Sequence, residues 1–281
     1  MPAPVFKEGQ EIGTEKKIPQ GAEGALPERK GACGGRREMK RHRENLFVFE
    51  REEDIAGFLI EHWAEVSRRA IGQKGFFAAV LSGGQTPIPF YKKMAEPGEE
   101  VGWDQTHIFL ADERFVPLGH PDSNFRMLSE TLFSRAPIPS SQVHPVPVEE
   151  ATPEDAAVLY EKEIRKFFGP ASGRFPCFDL ILLGIGTDGH TASLFPGTPV
   201  LEARESLAAA VRLGEKRHSR ITLTLPVLNE SANVVFLARG KEKAGIVERV
   251  LRRDPALPAS RVRPVRGDLI FVLDSAAHPD D

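Results

Sequence analysis

Three turns, each set directly after an apolar run, carry most of the residues that can do chemistry. The first is Gly184-Ile185-Gly186-Thr187-Asp188-Gly189-His190. A neutral imidazole near pH 7 is the side chain best matched to taking a proton from water, and a nearby carboxylate such as Asp188 can orient it. A hydrogen-bonded structural histidine is the plainer alternative, so the weight on His190 comes from its company. Asp112 and Arg114 close a second apolar run. An arginine there can hold substrate oxygens or stabilise charge developing on a carbonyl, and a structural ion pair is the alternative. Ser82, Gly83 and Gly84 follow a third run. A glycine pair between strand and helix lets backbone N–H groups converge on an anion, and the helix N-terminus adds partial positive charge, although a tight turn alone uses the same residues. Arg220 precedes another strand and Lys243 opens a helix after Gly240. Singly each reads as a surface charge; together with Ser82 they make a phosphate clamp.

Several chemistries are disfavoured. Gly184, Gly186 and Gly189 spell the G-x-G-x-x-G of a dinucleotide turn, but late in the chain and with Asp188 where a pyrophosphate wants no carboxylate. The Ser82 turn lacks the lysine of a nucleoside-triphosphate loop, and there is no Gly-x-Ser-x-Gly elbow of a serine hydrolase. The histidines show no H-x-x-x-H or other metal-ligand spacing. The economical mechanism is therefore water activated by histidine, with no metal.

The elements that must position these groups alternate. Leu46, Val48 and Glu50 read as a strand, and Ile55, Phe58, Leu59, Trp63 and Val66 as one face of a helix. Phe76–Leu81 is a strand leading to a helix with Thr86 as N-cap and Pro87 at its first position. His107–Leu110 is a strand stopped by the polar Asp112 cluster. Thr152-Pro153-Glu154-Asp155 opens a helix that Gly169 closes. Asp179–Leu183, Ile221–Leu225, Val234–Ala238 and Leu269–Leu273 are further strands, and a helix spans about Lys243 to Arg253. The pattern predicts an α/β fold, a Rossmann-like, mostly parallel sheet flanked by helices with ligands beyond the carboxyl ends of its strands. Residues 1–38, rich in glycine, proline and charge, are expected to be a disordered extension, with 39–281 a single α/β domain; Met39 raises the possibility of a later start codon.

Composition bounds the setting. With 41% hydrophobic and 27% charged residues the chain has the make-up of a globular protein, and a net charge of −3 indicates no general attraction to nucleic acid or anionic membrane. Two cysteines, Cys33 and Cys177, make no disulfide framework, and no apolar run reaches a membrane span, so a cytoplasmic location is expected. Nothing here distinguishes a monomer from a homodimer.

The motifs Ser82-Gly83-Gly84-Gln85-Thr86-Pro87, Asp112-Glu113-Arg114-Phe115-Val116-Pro117 with Ser123-Asn124, and the run from Gly184 through His190 to Pro196 closely resemble the 6-phosphogluconolactonase family. Arg220-Ile221-Thr222-Leu223-Thr224 and Gly240 to Ala244 are similar to it as well, so the resemblance covers about Asn45 to Ala276. It implies the fold shared with glucosamine-6-phosphate deaminase and ribose-5-phosphate isomerase. It also implies cofactor-free hydrolysis of 6-phospho-D-glucono-1,5-lactone to 6-phosphogluconate, in the oxidative pentose phosphate pathway. By position it makes His190 the general base, places Arg114 and Asp112 at the reaction centre, and gives the phosphate to Ser82, Gly83, Gly84, Arg220 and Lys243, with Asp188 among the substrate-binding residues. Lys243 is preferred to Lys241 because Ala244 follows it, as in sugar-phosphate relatives. The rivals are a glucosamine-6-phosphate deaminase or isomerase, whose segment after Asp-Gly-His differs from Thr191-Ala192-Ser193-Leu194-Phe195, and a non-catalytic sugar-phosphate sensor. A sensor would usually carry a DNA-binding domain, for which residues 1–38 are too short and glycine-rich.

Overall fold

The computed structural model describes residues 45–98, 101–169, 175–214 and 217–279. The predicted extension, Met39 and Cys33 lie outside the described residues. Within them the strands are β1 (Leu46–Phe49), β2 (Phe77–Leu81), β3 (Thr106–Leu110), β4 (Asp112–Arg114), β5 (Val143–His144), β6 (Leu180–Gly184), β7 (Ala208–Val211), β8 (Arg220–Leu223), β9 (Asn233–Ala238) and β10 (Asp268–Asp274). The helices are α1 (Glu52–Lys74), α2 (Ile88–Met94), α3 (Asn124–Leu128), α4 (Pro153–Phe168), α5 (Leu225–Asn229) and α6 (Ala244–Leu251).

Seven strands form one sheet in the order β1-β10-β9-β6-β2-β3-β5, and every pairing in it is parallel. The aliphatic runs explain this placement. All five residues of β2 and all six of β9 are buried, as strands covered on both faces must be. Helix α1 carries three acidic residues in its first turn, which suit the positive end of its dipole. It buries Ile55, Leu59, Trp63, Val66 and Ala70, spaced three or four apart, and the Trp63 ring stands edge-on to Phe77 at 4.8 Å. Helix α4 starts as its sequence predicts, with Thr152 Oγ1 accepting from the Asp155 N–H at 3.1 Å. Gly169 closes it by donating to the Arg165 carbonyl.

The sheet reverses its direction of growth between β2 and β6. From β2 the chain builds outward through β3 and β5; it then returns to lay β6 on the other side of β2 and builds away through β9 and β10. A crevice opens at such a reversal, beyond the carboxyl ends of the strands. The turns after β2 and β6 are Ser82–Gly84 and Gly184–Gly186, so both glycine pairs flank that crevice.

The structure departs from the sequence reading in several places: Leu225 begins α5 instead of ending the Ile221 strand, and β5, β7, α3 and α5 are elements the sequence did not announce. Two further differences bear on the site. Thr86 does not cap α2, whose N-cap is Pro87 with no side-chain hydrogen bond, because the chain enters the helix through a turn in which the Ile88 N–H bonds the Gln85 carbonyl. Asp112–Arg114, from sequence only the polar cluster that stops the preceding strand, is itself a strand, β4, the edge of a second, antiparallel sheet in the order β4-β8-β7. Three polar residues show no strand periodicity; partnership with β8 makes them a strand. The register pairs Asp112 with Thr222, Glu113 with Ile221 and Arg114 with Arg220. The small sheet hangs from the large one where the Ala111 N–H bonds the Leu81 carbonyl and the Ala111 carbonyl accepts from Leu223. Helix α4 packs on β7 and β8, and one hydrophobic cluster runs through both sheets.

Candidate active site

At the reversal point lies a cleft of about 480 Å³. Ser82, Gly83, Gly84, Asp112, Arg114, His190, Arg220 and Lys243 all line it, although they come from five separate stretches of chain. Asp188 does not. It sits behind the imidazole, where its Oδ1 accepts from His190 Nδ1 at 2.5 Å and from the His190 backbone N–H at 3.1 Å.

That pairing sets the chemistry of the ring. With Nδ1–H donating to the carboxylate, Nε2 is left with the lone pair that can take a proton. Desolvation pushes the Asp188 carboxyl up, but the hydrogen bonds from the His190 N–H and ring outweigh it, and the net effect is to lower its pKa. Asp188 therefore stays ionised and keeps the tautomer. The turn is closed by Gly186, whose N–H bonds the His190 carbonyl at 2.8 Å. A Cβ on Gly186 would lie 2.1 Å from His190 Nδ1, so only glycine lets the imidazole fold back on its own turn. Phe195 supports the ring with its own at 4.4 Å. Between them Ala192 takes a left-handed conformation, φ 48°, which costs an alanine about 1–2 kcal/mol. The Thr191–Leu194 bridge holds it there.

Opposite stands a group of cations. Arg114 and Arg220 face each other across the β4–β8 ladder, a position where like charges repel. Burial lowers the Arg220 pKa from its ordinary value, the Arg114 charge lowers it further, and Arg217 contributes in the same sense. Arg114 Nη1 donates to the Asp122 carbonyl at 2.5 Å and Arg220 Nη1 to the His218 carbonyl at 3.2 Å. Backbone oxygens hold the guanidiniums without cancelling their charge. Lys243 Nζ donates to the Ile185 carbonyl at 2.8 Å. An ammonium has two further donors, which leaves Lys243 able to hold an anion while it is bound to the β6 turn. Lys243 lies in a short 3₁₀ turn, Lys241–Lys243, and Lys241 is exposed and not on the cleft wall. Asp112 and Glu113 pull the Arg220 pKa back up, but four cations, Arg114, Arg217, Arg220 and Lys243, share the cleft wall with the one carboxylate of Asp112, a balance that fits a multiply charged anion.

The Ser82 turn contributes backbone more than hydroxyl. Ser82 Oγ donates its proton to the Leu182 carbonyl at 2.7 Å, and the Ser82 carbonyl accepts from the Tyr91 hydroxyl at 2.7 Å. These bonds clamp the turn between β6 and α2. Gly83 is required by crowding, since a Cβ there would meet Asn124 Oδ1 at 1.9 Å. Asn124 in turn donates from Nδ2 to the Asp112 carbonyl at 2.9 Å, and Asp112 Oδ2 accepts from Ser193 Oγ at 2.6 Å. Asp112 thus joins the histidine segment to β4.

Residues without a role in the sequence reading also matter here. Glu113 is buried with four donors on its carboxylate: the N–H groups of Arg114, Asn124 and Phe125, and Ser123 Oγ. Burial raises its pKa, and the three N–H bonds oppose that rise. Arg217 and Phe195 line the cleft, with the guanidinium 5.6 Å from the Phe195 ring centre. Arg217 belongs to no motif, and its position next to Arg220 was its only signal. Glu113 was visible as a charge in a motif, but nothing local shows that it points inward.

Residues 50–271 match the family model described as glucosamine-6-phosphate isomerases/6-phosphogluconolactonase. The chain is 41% identical over 213 residues to a protein of Synechocystis sp. named 6-phosphogluconolactonase, with 74% of this chain and 86% of that one covered. It is 38% identical over 242 residues to the 6-phosphogluconolactonase of Rattus norvegicus, covering 83% and 91%. The solved 6-phosphogluconolactonase of Thermotoga maritima superposes with a TM-score of 0.70 at 36% identity, over 82% of this chain and all of that one. A monomeric glucosamine-6-phosphate deaminase has the same fold, with a TM-score of 0.71 at 19% identity. The parallel sheet with its switch-point cleft, the glycine turns and the extent of these matches together mean that the chain belongs to the glucosamine-6-phosphate isomerase/6-phosphogluconolactonase family.

Proposed function

We propose that this protein hydrolyses 6-phospho-D-glucono-1,5-lactone to 6-phosphogluconate, the second step of the oxidative pentose phosphate pathway, using water activated by His190. The observation that carries the reading is the Asp188–His190 pair, joined at 2.5 Å, opening onto the same cleft as Arg220 and Lys243. A lactone has an electrophilic carbonyl and a leaving group tethered in its ring. Positioned water, one base and a donor for the developing oxyanion are therefore sufficient. Nε2 of His190 takes the proton of water as its oxygen attacks the carbonyl, and Asp188 stabilises the imidazolium that forms. Arg114 offers its guanidinium to the oxyanion. Collapse of the tetrahedral intermediate breaks the ring C–O bond, and the imidazolium returns a proton to the leaving alkoxide. Arg220, Lys243 and the N–H groups of Ser82, Gly83 and Gly84 grip the distant phosphate, which uses binding energy to orient the carbonyl. The substrate is a small sugar-phosphate lactone, no cofactor takes part, and the sparse cysteines suit a reducing cytoplasm. Among the described residues no helix is long and apolar enough to cross a membrane.

The test is acid release from freshly generated lactone, compared with the uncatalysed rate. Wild type should accelerate it, and His190→Ala should lose about 10²–10⁴ of that acceleration, the usual contribution of a general base. Equal rates for wild type and variant would remove His190 from the base role. No acceleration by wild type would overturn the lactonase reading and make glucosamine 6-phosphate the next substrate to try.

A further inference from the structure

At the rim of the cleft two loops bring together side chains that the reaction does not use. His120 and Asp122 lie in the turn after β4, and His218 lies two residues before β8, 96 positions from Asp122. We propose that His120, Asp122 and His218 form a binding site for a divalent transition-metal ion of the zinc class, which ties the β4 loop to the approach of β8.

One potential ligand atom from each of the three residues lies within 4.8 Å of the other two. His218 Nε2 is 3.2 Å from Asp122 Oδ2, and His120 Nδ1 is 3.9 Å from the same oxygen. A tetrahedral shell with bonds of about 2.0–2.1 Å spaces its ligands about 3.4 Å apart. The two stated separations lie within about 0.5 Å of that spacing, and no pair in the set exceeds it by more than about 1.4 Å. Side-chain exposures of 38%, 57% and 45% leave room for the rotations that close it. The backbone is already shaped for the purpose. The His120 N–H bonds the Pro117 carbonyl and the Ser123 N–H bonds the His120 carbonyl, so the turn is formed before any ion arrives. The Asp122 N–H now donates to His120 Nδ1 at 3.1 Å, a bond that must give way for Nδ1 to ligate, or that leaves ligation to Nε2 after rotation of the exposed ring. The two imidazoles meet edge to face, with centroids 5.4 Å apart. Two imidazoles and one carboxylate suit Zn²⁺, Co²⁺ or Ni²⁺ and leave a position for water.

Arg114, Arg217 and Arg220 stand nearby and oppose a cation, but solvent screens charges at so open a site. The ion's ligands are also the residues whose carbonyls receive Arg114 and Arg220, so an ion bridging them fixes the two loops that aim those guanidiniums.

Zn²⁺ titrated into the chelator-washed full chain and followed by calorimetry tests the proposal, with Co²⁺ absorption as a second readout of ligand geometry. Wild type should bind one equivalent. His218→Ala and Asp122→Ala should each weaken binding by more than the roughly 10–100-fold that loss of a group behind a ligand costs, with metal-free melting unchanged. His190→Ala should bind as wild type does. The proposal is overturned if wild type takes up no Zn²⁺, if the His218 and Asp122 variants bind as tightly as wild type, or if uptake disappears with His190 and so belongs to the cleft.

Discussion

At His190 a single hydrogen bond decides which nitrogen is basic. Asp188 is lowered in pKa by its contacts with His190, against the opposing pull of desolvation, and so remains a carboxylate beside the imidazole proposed as the base. Asp188→Ala should lower kcat for lactone hydrolysis by about one to two orders of magnitude, less than loss of the base itself, and leave affinity for 6-phosphogluconate within a small factor. A variant that lost affinity but kept kcat would show Asp188 to be a substrate-binding residue, one of the two roles the sequence suggested, and not the group that orients the ring. The clamp separates in the opposite sense. Arg220→Ala and Lys243→Ala should each weaken 6-phosphogluconate by about 10–100-fold, the size of one or two charge-assisted hydrogen bonds, as read by calorimetry. Unchanged affinity in either variant would remove that residue from the phosphate site.

Among the elements, the short β4 does the most to assemble the cleft. Its three residues alternate in duty: Asp112 reaches the histidine segment, Glu113 turns away into the protein and seats the start of α3, and Arg114 returns to the cleft. The period-two alternation of a strand makes that possible, whereas a loop would give no such order. Glu113→Ala leaves three N–H groups and a hydroxyl without their acceptor. It should cost on the order of 3 kcal/mol or more in urea unfolding, since each buried group left unpaired costs about 1–3 kcal/mol. It should also lower turnover, because Asn124 touches both Asp112 and the Gly83 turn. A loss under about 1 kcal/mol would mean that water replaces the carboxylate. That β4 is a strand was not legible, since the Asp112–Arg114 run resembles any polar loop and its partner β8 is remote in sequence. The strands β2, β6, β9 and β10 were legible because their aliphatic runs bury on both faces whatever their neighbours.

For the molecule as a whole, three histidines set the response to acid. Burial lowers the pKa of His62, His107 and His144, and His107, which also faces His144 at 3.1 Å, falls to about 4. Glu163 on His144 works against the shift without cancelling it. A histidine whose folded pKa is depressed is neutral in the native state, while the unfolded chain binds its proton below about pH 6.5. Stability is thus fully present above that value and is lost as pH falls toward 4. Glu113 and Asp179, raised by burial, act in the opposite sense, adding stability as pH falls through their raised folded pKa values. The melting temperature should therefore fall between pH 7 and pH 5, and His107→Gln should flatten the dependence. A wild-type melting temperature constant across that range would contradict the assignment.

Local sequence was enough for the parallel α/β architecture, the helix that Thr152 and Gly169 bound, and the glycine turns, because burial on both faces, capping and crowding act over a few residues. It was also enough to single out His190, Arg114, Arg220 and Lys243 as candidates. It could not show that they share a cleft, that Asp188 stands behind the ring, or that Lys243 rather than Lys241 reaches inward. Those outcomes depend on strand order. The reversal between β2 and β6 brings two glycine turns together, and the β4–β8 ladder sets Arg114 beside Arg220. Pairings between residues about a hundred positions apart follow from how whole faces pack, and no window of sequence contains both partners.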